Sequence, residues 1–180
     1  VDITRQGSAY IFRAGPAGPA FENSLINHLV KEEGFTKFAI IGDNTAYGKG
    51  ESAYQIDALK ANNLEALAVE EHGADDKDFT GQLTKIMATQ PEVLLLASSE
   101  VAGGLVAKQA RQLGFEGTIA GGVAMGSAKF LETAGDAAEG VARLYLEQFF
   151  TNEVATFSAM LRTALGAPTE LPQLRRIVEE

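Results

Sequence analysis

Residues 38–60, FAIIGDNTAYGKGESAYQIDALK, decide how the chain is read. An apolar run, Phe38 to Ile41, enters a loop that holds Gly42, Gly48 and Gly50, and a helical pattern follows. Strand, glycine-rich turn and helix are the parts of a phosphate cradle, in which free backbone N–H groups and the helix dipole receive an anion. The spacing argues against that use. A phosphate loop needs four residues between its glycines and then Lys with Ser or Thr. Here five residues separate Gly42 from Gly48, and Gly50 follows Lys49. Gly48-Lys-Gly50-Glu-Ser-Ala53 satisfies a relaxed dinucleotide fingerprint, with Glu70 and Glu71 at a ribose-contacting distance. That fingerprint requires its first glycine in the turn directly after the strand, and Asp43 to Tyr47 intervene. The glycines are therefore expected to serve backbone packing. Tyr47, placed just ahead of the helix at the sheet's carboxyl edge, becomes the residue of interest.

Working outward, the same alternation recurs. Strands are expected near 9–13, 37–42, 65–71, 92–97 and 117–121. Helices are expected over 21–33, 48–61, 79–87, 100–113 and 127–135, with Gly34, Gly114 and Gly135 as stops. Val93–Ala97 is a continuous apolar run, as in a strand buried on both faces. In 64–72, alternation puts Leu67 and Val69 on one face with Glu65 and Glu71, an unclean pattern. Short loops and regular alternation predict an α/β fold: a doubly wound, mainly parallel five-stranded sheet with helices on both faces. Ligands bind such sheets outside the carboxyl ends of the strands, so the loops at 14–20, 42–47, 71–77, 98–101 and 121–127 are the places to look.

Composition narrows the function classes. The chain has 180 residues, 46% hydrophobic and 22% charged, which suits one domain with a sizeable core. A net charge of −9 makes nucleic acid and anionic membranes poor partners. The absence of cysteine excludes disulfides, thiolate catalysis and Cys-based zinc sites. The apolar runs are far short of the ~20 residues of a membrane span. No signal peptide is recognisable and the first residue is Val1, so a processed or excised chain is expected.

AYIFRAGP, EEGFTKFAIIGDNTAYGKG, DDKDFTGQLTKIMATQPEVLLLAS, AKQARQLGFEGTIAGG and FLETAGDAAEGV closely resemble, in order, one lobe of the branched-chain-amino-acid (Leu/Ile/Val-binding-like) type of periplasmic binding protein. Those proteins capture solutes for ABC importers, and two α/β lobes close on the ligand. The resemblance covers residues 1 to about 141 and implies the second lobe only, as a ligand-binding lobe over 1–141. Residues 142–180 do not resemble the expected return crossing and read as a helical tail, one helix to about Leu165 and a second short one.

The resemblance implies a periplasmic solute binder, not an enzyme, with no cofactor or metal. Its implied partners are a small-molecule ligand, a second lobe and an ABC membrane permease. Tyr47 matches the tyrosine that packs on the ligand, and Ser98, Ser99 and Glu100 match the pocket-lining segment. Gly121, Gly122 and Val123 lie in the loop that supplies a carboxylate for the ligand's ammonium in amino-acid binders. Gly15, in the 14–20 loop, completes the candidate set. The 121–124 loop has no acid here, and a buried ammonium without a counter-charge is costly. That favours an aromatic carboxylate, an amide or another uncharged molecule over a free amino acid.

Other residues have plainer readings. Asp75, Asp76 and Asp78 lack the Gly and distal Glu of a calcium loop, and Asp78 reads as a helix N-cap. His28 reads as a solvated mid-helix residue and His72 as isolated, with no Ser–His–Asp set. The alternative class is an interaction module without ligand binding, an isolated lobe forming a homodimer through apolar tail residues such as Phe149, Phe150 and Leu161.

Overall fold

The computed structural model describes residues 18–141. Its elements are α1 (Gly18–Lys31), β1 (Phe38–Asp43), α2 (Ala46–Ala61), β2 (Ala66–His72), α3 (Thr80–Ala88), β3 (Val93–Ala97), α4 (Glu100–Gln112), β4 (Thr118–Gly121) and α5 (Ala128–Ala134). One 3-10 turn, Val123–Gly126, precedes α5 and another, Gly135–Ala138, follows it. The expected strand at 9–13, Gly15, the tail helices and the tail-mediated dimer lie outside the described residues.

The strands form a parallel sheet in the order β2-β1-β3-β4. The α/β reading with a parallel sheet stands, with four strands among the described residues. Every residue of β1 and of β3 is buried, as the continuous apolar runs require of central strands covered on both faces. Alternation divides their side chains. Ala39, Ile41, Leu94, Leu96 and Ile119 join Phe79, Leu83 and Ile86 of the α3 region, Val106 and Ala110 of α4, and Phe130 of α5 in one apolar cluster. Phe38, Ile40 and Leu95 turn to the other face, where α2 packs on β1 and β3 and α1 packs on α2. Burying one such side chain contributes about 1.5–3 kcal/mol.

Glycines fix the sheet–helix fit at two points. A Cβ on Gly42 would stand 2.5 Å from Ser52 Oγ, and one on Gly48 would overlap the Asp43 carbonyl and stand 2.8 Å from that of Ala97. These two do serve backbone packing. Gly50 faces open space.

β2 is one of the two edge strands among the described residues, and Leu67 and Val69 on its outer face are about half exposed (46% and 50%). The mixed face read from alternation is thus a partly solvated one. Helix ends differ modestly from expectation. α2 begins at Ala46 rather than Gly48, because Thr45 is its N-cap and accepts from the Gly48 N–H at 3.3 Å. Tyr47 therefore sits inside the first helical turn, not ahead of it. The N-cap of α3 is Phe79. Asp78 stands one residue earlier and accepts from the N–H (3.0 Å) and hydroxyl (2.6 Å) of Thr80, so it still satisfies a first-turn donor. Asp76 accepts the Gly73 N–H at 2.7 Å.

Candidate functional site

The carboxyl ends of β1, β3 and β4 open onto a hollow of about 660 Å³ lined by Tyr47, Ser99, Glu100, Val101, Val123, Ala124, Gly126 and Ser127. Tyr47 and Val123 are exposed in its wall. Burial and the nearby carboxyls of Glu51 and Glu22 push the Tyr47 phenol well up, although the Ala124 N–H faces its oxygen. The phenol therefore stays protonated and can both donate and accept a hydrogen bond.

Four expected site residues, Tyr47, Ser99, Glu100 and Val123, come together in this wall. The others are placed differently. Ser98 is fully buried, and its hydroxyl lies 2.8 Å from His72 Nε2. Gly121 is buried against Leu96 and Met125, where a Cβ would meet the Leu96 carbonyl at 2.5 Å. Gly122 is buried beside two carboxylates. Ser99 is the N-cap of α4 but makes no side-chain capping bond, so its hydroxyl is not committed to the helix end.

The phosphate question is answered at the start of α2. Asp43 Oδ1 accepts from the N–H (3.1 Å) and hydroxyl of Thr45, and its Oδ2 accepts from the Ser99 N–H at 2.8 Å. Burial acts to raise this carboxyl, yet the bonds from Thr45 and Ser99, with His72 nearby, hold it below the ordinary aspartate value. The chain's own anion thus takes the place that a phosphate would occupy.

His72 is not isolated. It is 3% exposed, its Nδ1 lies 2.7 Å from the Gly73 carbonyl, and it meets the Phe79 ring edge-on at 4.7 Å. The carbonyl assigns the proton to Nδ1 and leaves Nε2 to accept from Ser98. Asp43 pairs with His72 in the sheet register. The three polar residues so converge, but Asp43 is spent on Thr45 and Ser99, and Ser98 and His72 are closed to solvent. The arrangement ties strand ends together. Its sequence signal was available: His72 ends the inward-facing set 66, 68, 70, 72 of β2. His28 is also corrected. Its side chain is 16% exposed, with Glu32 and Glu33 oxygens at 3.3 and 3.5 Å.

Two further acids were missed. Glu22 of α1 is fully buried, and Glu51 of α2 lies beside it. A Cβ on Gly122 would stand 2.7 Å from Glu51 Oε2 and 2.9 Å from Glu22 Oε1. The acid-free 121–124 loop therefore rests on a pair of carboxyl groups supplied by other elements. Periodicity could have flagged Glu22, which falls on the buried face with Phe21, Leu25, Ile26 and Leu29.

An open parallel sheet with an apolar-walled hollow at its strand ends is the class of fold that receives small molecules there. The chain belongs to the periplasmic binding protein family, whose model matches residues 2–174. It is 23% identical over 169 residues to Leu/Ile/Val-binding protein homolog 3 of Brucella melitensis, covering 94% of this chain and 46% of that protein. It is 27% identical over 139 residues to the Leu/Ile/Val-binding protein BraC3 of Rhizobium johnstonii, covering 77% and 38%. The crystal structure of the leucine-binding protein LivK of Thermotoga maritima superposes with a TM-score of 0.70 at 25% identity, covering 77% of this chain and 40% of that one. The chain thus spans less than half the length of each of these proteins.

Proposed function

We propose that this chain is a solute-binding lobe of an ABC-type importer, working in the periplasm and without catalytic activity. In this reading 1–141 is the lobe and 142–180 a separate helical tail. A small organic solute is held at the carboxyl ends of the strands against Tyr47, Ser99, Glu100 and Val123. The hollow in which these residues meet carries the reading. Family membership and the names of the Leu/Ile/Val-binding relatives support it. Partners of the whole protein, a second lobe and a membrane permease, follow from the same family.

A hollow open on one side leaves the solute partly hydrated, so each polar contact is weaker than in an enclosed site. Binding by this chain alone is therefore expected to be weak. Melting curves with millimolar leucine, benzoate or benzamide test the reading. At least one should raise the melting temperature of the wild type, and Tyr47→Ala should abolish that rise. No shift with any solute across a wider panel, together with a dimeric mass in solution, would favour the interaction module instead.

A further inference from the structure

Two helices start on the rim of the hollow, and one buried side chain joins their starts. Tyr47 stands in the first turn of α2, and Glu100 and Val101 open α4; all three line the hollow. Thr45 is the N-cap of α2, and Ser99 is that of α4. Between them lies Asp43, the last residue of β1, which is 1% exposed. Its Oδ1 accepts from the Thr45 N–H at 3.1 Å and from the Thr45 hydroxyl, and its Oδ2 accepts from the Ser99 N–H at 2.8 Å. Gly48, in the same first turn as Tyr47, comes close to it as well: a Cβ there would stand 2.5 Å from Asp43 Oδ1. Asp43 does not itself line the hollow.

Neighbouring bonds brace this carboxylate. β1 lies between β2 and β3, and the His72 carbonyl at the end of β2 accepts from the Asn44 N–H at 2.9 Å. His72 Nε2 lies 2.8 Å from the hydroxyl of Ser98, the residue before Ser99. The ends of all three strands are thus bonded crosswise around Asp43. Burial works to raise the Asp43 carboxyl, but the Thr45 and Ser99 donors and the nearby His72 outweigh it. The side chain is therefore held charged, with one oxygen for each helix start. Hydrogen bonds to a charged acceptor are stronger than those between neutral groups.

We propose that Asp43 is a positioning residue for solute binding: its carboxylate couples the starts of α2 and α4 and so sets the gap between Tyr47 on one wall of the hollow and Glu100 and Val101 on the other. This deepens the solute-binding reading and rests on it. A solute that touches both walls keeps its contacts only while that gap is held to within about 0.5 Å. A neutral amide cannot hold it. In Asp43→Asn the one remaining oxygen serves Thr45 or Ser99, and the NH2 group turns a donor toward the donor of the other.

Two measurements on the full chain test this, one with solute and one without. Titrations with leucine, benzoate and benzamide are run at a temperature where melting curves show each variant folded. Asp43→Asn should weaken whichever of them binds the wild type about tenfold. Ile86→Val, a core change in α3 away from the hollow, should lose stability yet keep wild-type affinity, which separates positioning from general loosening. Without solute, Thr45→Ala should move the amide signals of Ser99, Glu100 and Val101, and Thr45→Ser, which keeps the hydroxyl, should restore them. In the Asp43→Asn background the same Thr45→Ala change should leave those signals in place. Wild-type affinity in Asp43→Asn, or α4 signals indifferent to Thr45→Ala, would overturn the coupling and leave the solute-binding reading intact. Should Asp43→Asn not fold, Thr45→Ala against Thr45→Ser decides by the same two readouts. Failure of every solute with the wild type would overturn the solute-binding reading, and the amide signals would then decide the coupling alone.

Discussion

Two acid-bearing corners of the same sheet edge behave in opposite ways. At the start of α2, the Asp43 carboxylate is met by the N–H and hydroxyl of Thr45 and the N–H of Ser99, and its pKa falls. Beneath Gly122, the buried Glu22 carboxyl is set against a second carboxyl, Glu51, and burial and that neighbour raise its pKa. Both side chains are buried, so burial alone does not set the difference. Donor supply does. A carboxyl met by donors is held toward its charged form, and one met by a second buried carboxyl is held toward its neutral form.

The largest expected effect is at the satisfied corner. Asp43→Ala strips partners from the Thr45 and Ser99 donors and should cost about 3 kcal/mol, read by chemical denaturation. A loss under about 1 kcal/mol would mean that these bonds do not hold the strand ends. Gly48→Ala comes next. Its methyl would overlap the Asp43 carbonyl, and the shift of α2 should cost about 2 kcal/mol.

At the corner of paired carboxyls the sign reverses. Glu51→Gln should stabilise the protein by about 1 kcal/mol at neutral pH, because it removes one of two carboxyls crowded in a buried site. The gain should depend on pH. With folded pKa values raised, the carboxyls stabilise the native state fully below the ordinary glutamate value of about 4.3, and that contribution is lost as pH climbs through the raised values. The advantage of Glu51→Gln should therefore grow from pH 4 to pH 7. Asp43, with its lowered pKa, works the other way: its contribution is present above the ordinary aspartate value and lost as pH falls through the folded one. A pH-independent gain for Glu51→Gln would show that the pair is not strained. The smallest effect is for Tyr47→Ala, which should change stability by less than about 0.5 kcal/mol while removing solute binding.

Much of the lobe was legible because its physics is local. Val93–Ala97 is apolar throughout and is buried throughout; Gly114 stops α4 with φ +89°. The start of α2 was read two residues late, at Gly48, although Thr45 is of a residue type favoured at N-caps. The hollow was legible only through strand order, which brings the loops after β1, β3 and β4 together. What stayed hidden depends on pairs distant in sequence. Glu22 and Glu51 meet across the α1–α2 contact, and His72 and Ser98 meet across β1. No periodicity within one element reports such meetings. The reading of the 121–124 loop as lacking a counter-charge was sound for the loop itself, but side chains from α1 and α2 rise beneath it.

The most direct test of the central claim is a backbone chemical-shift map of the labelled chain titrated with leucine, benzoate and benzamide in turn. The account predicts that the solute that binds perturbs residues 45–51, 98–101 and 121–127, with Tyr47 and Gly122 among the largest shifts. Perturbations centred on the exposed outer face of β2 at Leu67 and Val69, with the hollow silent, would contradict it.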